Sequence, residues 1–272
     1  MRTLMSASHS AIPLNELSVL LVEPSSTQHK IIVDHLYIAG IHHIEWVQTG
    51  QQAIEHMNSN PCDITISSMH LRDITGTELI QKMRETPKLS DIPFMLISSE
   101  THYRYLEPIR QAGTIALLPK PFNQEQLNTA LQSALLYFSS DSINTGSIEV
   151  GQLNTLVVDD SITSLKHISR ILTNLGFTKI SHALNGVEAV KLIANEFFDL
   201  IVTDYNMPEM NGDELIEHIR TKSNQTSIPI LMVSSESNED RIANVQKSGV
   251  SAICNKPFDI NTVRQILENI LH

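Results

Sequence analysis

Five side chains in the second half of the sequence could handle a phosphoryl group together. Asp159 and Asp160 follow the apolar run at 155–158, Asp204 follows the run at 200–203, Ser234 follows 230–233, and Lys256 stands just beyond 252–254. Carboxylates crowded into one place repel each other and tend to hold protons unless a cation joins them. Mg²⁺ suits such a group, since it takes hard oxygen ligands and is usually bound by one or two carboxylates plus waters and phosphate oxygens. A hydroxyl (Ser234) and an ammonium (Lys256) could then hold a phosphoryl group while a carboxylate attacks phosphorus. Each residue alone has a plainer reading: an Asp pair before a helix is a common N-cap, and an Asp after a strand can begin a turn. Their joint occurrence, each at the end of a successive apolar run, is what points to a site.

Such a site requires the runs to lie side by side. The strand candidates are 155–158, 179–183, 200–203, 230–233 and 252–254, and helical patterns lie between them. Ile162, Leu165, Ile168, Leu172 and Leu175 fall on one helical face, as do Ile260, Val263, Ile266, Leu267 and Ile270. Runs such as LIV and ILMV are apolar throughout, as expected of strands covered on both faces. Five such βα units predict an α/β doubly wound parallel sheet, with its ligand site outside the carboxyl ends of the strands at the switch in strand order.

The first half repeats this frame 136 positions earlier. VLLVEPS (19–25) aligns with TLVVDDS (155–161), Gly40 with Gly176, Gly50 with Gly186, Gly76 with Gly212, DIPFMLISSE with SIPILMVSSE, and PKPF with NKPF. One register held this long means two domains of one fold. The expected organisation is a tail over 1–15, a domain over 16–138, a polar linker over 139–152 and a second domain over 153–272, with no room for a third. The chemistry is not repeated. Glu23 and Pro24 stand where the second copy has Asp159 and Asp160, and Ser68 stands at Asp204, while Ser98 and Lys120 are kept.

Composition narrows the function class. The net charge of −11 repels nucleic acid phosphates. Two cysteines cannot build a disulfide framework, and no apolar run reaches the length of a membrane span. A cytoplasmic protein is expected, without nucleic acid or membrane as partner.

VVDDS, TDYNMPEMNG, SSE and NKPF resemble the receiver domains of two-component response regulators, and the resemblance covers most of the chain. It implies two flavodoxin-like (βα)5 domains in tandem. It further implies that Asp204 takes a phosphoryl group from a sensor histidine kinase or phosphotransfer protein. Asp160, Asp204 and the backbone carbonyl of Asn206 would bind Mg²⁺, with Asp159 acting through water, and Ser234 and Lys256 would hold the phosphoryl group. The resemblance makes Lys256–Pro257 a cis bond, and Asn206 and Glu236 the side chains that tune dephosphorylation, a pair matching short-lived phosphorylation. The first domain resembles a receiver that has lost its reaction.

One departure is Ile253 (Leu117 in the first copy), where receivers usually carry the Tyr or Phe of an aromatic switch. The expected function is phosphorylation-dependent interaction with an output protein, by self-catalysed phosphotransfer rather than as an enzyme. Service as a phosphate sink or relay is the alternative. An aspartate-nucleophile, Mg²⁺-dependent phosphohydrolase fits less well, because such enzymes carry DxD after the first strand. The apolar LLYF (135–138), with Tyr137 and Phe138, suggests a contact surface on the first domain for a partner or a second copy of the chain.

Overall fold

The computed structural model describes residues 13–100, 103–136, 143, 149–234, 249–256 and 260–271. The first half contains β1 (Ser18–Val22), α1 (Ser26–Ile38), β2 (His43–Val47), α2 (Gly50–Ser59), β3 (Ile64–Ser68), α3 (Gly76–Glu85), β4 (Phe94–Ser98), α4 (Tyr103–Gln111), β5 (Ala116–Pro119) and α5 (Gln124–Leu136). The second contains β6 (Asn154–Val158), α6 (Ile162–Asn174), β7 (Lys179–Ala183), α7 (Gly186–Asn195), β8 (Leu200–Asp204), α8 (Gly212–Lys222), β9 (Ile230–Ser234), β10 (Ala252–Asn255) and α9 (Ile260–Ile270). Both sheets are parallel. Their orders are β2-β1-β3-β4-β5 and, equivalently, β7-β6-β8-β9-β10. Helices cover both faces, as the unbroken apolar runs require, and β3, β4, β8 and β9 are buried at every position.

The repeat preserves local devices as well as strands. Ser25 and Ser161 cap α1 and α6 by accepting from the backbone N–H of Gln28 and Ser164. Thr75 with Glu78 and Asn211 with Glu214 form capping boxes at α3 and α8, each satisfying two N–H groups that the first helical turn would leave bare. Arg84 in α3 donates to the carbonyls of Ser90, Ile92, Ala112 and Gly113 at 2.9–3.2 Å, tying the loop before β4 to the end of α4. Arg220 does the same in α8, reaching Gly249 and Thr226.

Two details differ from the sequence reading. Leu165, Ile168, Leu172 and Leu175 are buried as expected, but Ile162 is 62% exposed, because it opens the first turn of α6 where the packed layer ends. Asp204 and Asn255 are the last residues of their strands rather than the loops beyond, and Ser234 ends its strand as expected, so ladder pairing fixes all three backbones.

The two domains touch. α5 packs against α9, and Leu127, Leu131 and Ala134 share one apolar cluster with Leu267, Leu271 and Ile143. Ile143 is buried and donates its N–H to the carbonyl of Leu175 at 3.1 Å. Tyr137, Phe138, Pro257 and Glu236 lie outside the described residues. No helix among the described residues is long and apolar enough to cross a membrane.

Candidate functional site

The carboxyl ends of β6 and β8, where the strand order switches, carry the candidate site. Asp159 follows β6, and its Oδ1 accepts the N–H of Ser161 at 2.9 Å, which fixes the carboxylate at the start of the turn into α6. Asp204 ends β8. Lys256 follows β10, with its backbone N–H on the carbonyl of Ser234 at 2.9 Å. Asp159, Asp204, Ser234 and Lys256 are all buried, while Asp160 and Asn206 are exposed at the rim.

The side chains converge. Lys256 Nζ lies 3.0 Å from Asp159 Oδ2 and 3.0 Å from Asp204 Oδ1. One carboxylate oxygen each from Asp159, Asp160 and Asp204 lie within 4.8 Å of one another. The second oxygen of Asp204, Oδ2, is buried and has no hydrogen-bond partner. Gly212, at the start of α8, permits this packing: a Cβ there would press into the carbonyl oxygen of Asp204.

Three carboxylates face one ammonium, and the electrostatics show it. Burial pushes the Asp204 carboxyl up; Lys256 pulls it back and Asp159 adds to the rise. Burial, and then Asp159, raise Asp160 as well. For Lys256, burial works against the charge, but Asp159 and Asp204 outweigh it and hold the ammonium protonated. The surplus is therefore negative, and a divalent cation is the group that would relieve it. An unpartnered buried oxygen beside two more carboxylates fits a hard, oxygen-seeking ion such as Mg²⁺.

The corresponding place in the first domain has closed on itself. Ser68 Oγ donates a hydrogen bond to Glu23 Oε2. Lys120 Nζ lies 3.2 Å from the same Glu23 oxygen and 3.3 Å from Ser68 Oγ. Glu23 Oε1 accepts from Ser25, the counterpart of the Asp159–Ser161 bond, and Ser98 Oγ accepts from the N–H of Glu100 at 2.9 Å. Pro24 offers its backbone carbonyl to Arg72 at 3.0 Å and has no side-chain ligand to give. One carboxylate meets one ammonium, so no charge is left over. Trp46 donates its indole N–H to the Glu23 carbonyl at 2.9 Å and stacks on His29 with ring centroids 4.0 Å apart.

The profile of the response regulator receiver domain matches residues 19–132 and again 155–268. The chain belongs to the response regulator receiver family. The "Chemotaxis protein CheY homolog" of Campylobacter jejuni is 38% identical over 120 residues, 44% of this chain and 92% of that protein. "Chemotaxis protein CheY1" of Helicobacter pylori is also 38% identical over 120 residues and is covered to 97%. Among solved structures, CheY4 of Vibrio cholerae is 30% identical, with a TM-score of 0.41, over 43% of this chain and 98% of its own. This chain is thus a two-component response regulator carrying two receivers in tandem.

In the second receiver the structure brings Asp159, Asp160, Asp204 and Lys256 together, with Ser234 at the adjacent strand end. Ile253 is half-buried in β10 and packs against the buried apolar cluster that contains Leu215 and Met232, as an aliphatic side chain and not a ring free to turn. Cys254 is buried, as a small packing residue should be. Two residues at the site carry no signal in the motif. Ser164, on the first turn of α6, lies 3.5 Å from Lys256 Nζ, and Gln111, from the first receiver, lies 2.9 Å from it. Ser164 stands three places beyond the capping Ser161, so the cap was its only local cue. Gln111 had none.

Proposed function

We propose that the second receiver is phosphorylated on Asp204 and that the first is a degenerate receiver that keeps the fold without the reaction. The observation that carries this is the division of labour at Asp204: Lys256 fixes Oδ1, and Oδ2 is left buried and unpartnered at the acidic cluster. In the transfer, an Asp204 oxygen forms a bond to phosphorus as the P–N bond of a donor phosphohistidine breaks. The electron pair returns to the imidazole, which takes up a proton. Lys256 and the Ser234 hydroxyl hold the phosphoryl oxygens. Asp160, Asp204 and the carbonyl of Asn206 would hold Mg²⁺, with Asp159 acting through water, and a bound ion would supply neutralisation of the anionic group. Asn206 and Glu236 stand at the positions expected to control the approach of water to the acyl phosphate.

The donor is a sensor histidine kinase or a phosphotransfer protein, and the output is a phosphorylation-dependent protein contact in the cytoplasm. Catalysis is confined to the protein's own phosphorylation and dephosphorylation. The boundaries 16–138 and 153–272 bracket the matched segments. The segment 139–152 links them, and within it Ile143 donates its N–H to the carbonyl of Leu175.

The test is chemical labelling. Phosphoramidate with Mg²⁺ should add one phosphoryl group per chain, and Asp204→Asn should abolish it. A phosphorylated residue within 16–138 would refute the assignment.

A further inference from the structure

Lys256 is held from three sides, and one of them belongs to the other receiver. Its ammonium donates to Asp159 and Asp204, and to Gln111 Oε1 at 2.9 Å. An ammonium has three protons to give, so all three are committed. Gln111 is the last residue of α4. Its amide has a fixed orientation: Nε2 donates to Glu107 Oε1 at 2.9 Å, one turn back on the same helix, which leaves the oxygen facing Lys256. Ser164 Oγ lies 3.3 Å from both the side-chain and the backbone oxygen of Gln111.

Two further contacts join the receivers nearby. Gly113, at φ +72°, lies against His167 of α6, where a Cβ would stand 3.1 Å from the imidazole Cγ. Arg170 of α6 donates to the carbonyl of Asp91 at 2.9 Å.

We propose that Gln111 is a latch that the first receiver places on the phosphorylation site of the second, so that docking of α4 on α6 and phosphorylation of Asp204 compete. The inference rests on Asp204 being the acceptor. An acyl phosphate at Asp204 brings anionic oxygens to an ammonium that has no proton to spare. Asp159 cannot yield, since it is buried and tied to Ser161. Gln111 Oε1 is a neutral acceptor, weaker toward an ammonium than a charged oxygen, and its lone pairs face the incoming negative charge. Turning the amide over would help only by breaking its bond to Glu107. The latch therefore releases, and the seam opens. By thermodynamic reciprocity, docking that disfavours the phosphorylated state is itself weakened by phosphorylation. The unreactive receiver then has a use: it governs access to its reactive twin.

The test uses the full chain with phosphoramidate and Mg²⁺, whose P–N bond breaks as Asp204 bonds to phosphorus, the nitrogen leaving as ammonia. Initial rates of labelling are followed by intact mass. Gln111→Ala should raise the rate by roughly tenfold, the scale of one hydrogen bond to a charged group. Gly113→Val, which wedges the seam without touching the site, should raise it as well. A role in mere folding would lower the rate. Amide exchange over 163–170 should increase when the wild type is phosphorylated and stay unchanged in Asp204→Asn treated alike. A rate unchanged or lowered in Gln111→Ala overturns the latch. Label persisting in Asp204→Asn removes the acceptor assignment, and the latch with it. Label lost there while Gln111→Ala matches the wild type removes the latch alone.

Discussion

The seam between the receivers should open in mild acid, and His167 sets the window. This imidazole is buried at the seam, and its pKa is pushed down to about 3, first by burial and then by the charges of Arg84 on α3, Lys256, and Arg170 on its own helix. Lys166 of α6 and Asp91 before β4 also border the seam, so positive groups outnumber negative ones around the ring. A solvated histidine takes up its proton below about pH 6.5, whereas the docked one stays neutral until about pH 3. Docking is therefore complete above pH 6.5 and loses free energy as pH falls through that interval. At pH 5 the loss is about 2 kcal/mol, from about 1.5 pH units at 1.36 kcal/mol each, and it reaches about 5 kcal/mol near pH 3. Small-angle scattering or amide exchange over 163–170, run from pH 7.5 to pH 5, should show the seam loosening. Because the Asp204 carboxyl, raised to about 6, changes charge in the same range, the decisive comparison is His167→Gln, which should flatten part of the profile between pH 6.5 and pH 5. A profile identical in the variant, or no change over that range in the wild type, would refute the reasoning.

Three further outcomes follow from the site geometry. Mg²⁺ titration of the full chain should show weak binding that falls several-fold in Asp160→Ala, and the double variant Asp160→Ala/Asp204→Asn should show none, because Glu23 is already matched by Lys120. Gly212→Ala should cost about 1–3 kcal/mol by denaturant unfolding and slow Asp204 labelling, since the new Cβ displaces the backbone that carries the acceptor. Removing Glu23 by Glu23→Ala should cost about 1–3 kcal/mol in the same assay, leaving Lys120 without its carboxylate, while Asp204 labelling stays measurable.

The sheet order and the convergence of the second cluster were legible because each of its residues is pinned to the end of a strand. Apolar runs give the strands, the doubly wound connection gives their order, and Asp159, Asp204 and Lys256 then have one place to meet. Ile162 was misjudged because helical spacing marks a direction around the helix but not where the covering layer stops. At the corresponding place in the first receiver, the sequence makes plain that two of the three carboxylates are replaced. It does not show that Glu23, Ser68 and Lys120 satisfy one another, since that depends on the reach of side chains from three strands. Gln111 was beyond reach for a different reason. Its contact with Lys256 joins residues 145 apart on separate domains, and no period, cap or motif encodes how two finished domains dock.

The indole of Trp46 gives the chain an optical asymmetry. It is the sole tryptophan, and it sits on the Glu23 carbonyl and the His29 ring of the first receiver, far in sequence from Asp204. Its hydrogen bond and ring contact both lie within the first receiver, so its emission should answer to ions and phosphoryl groups arriving at the second only through movement of the first. A fluorescence change on phosphorylation would report mechanical communication across the molecule, with no contribution from chemistry at the reporter itself.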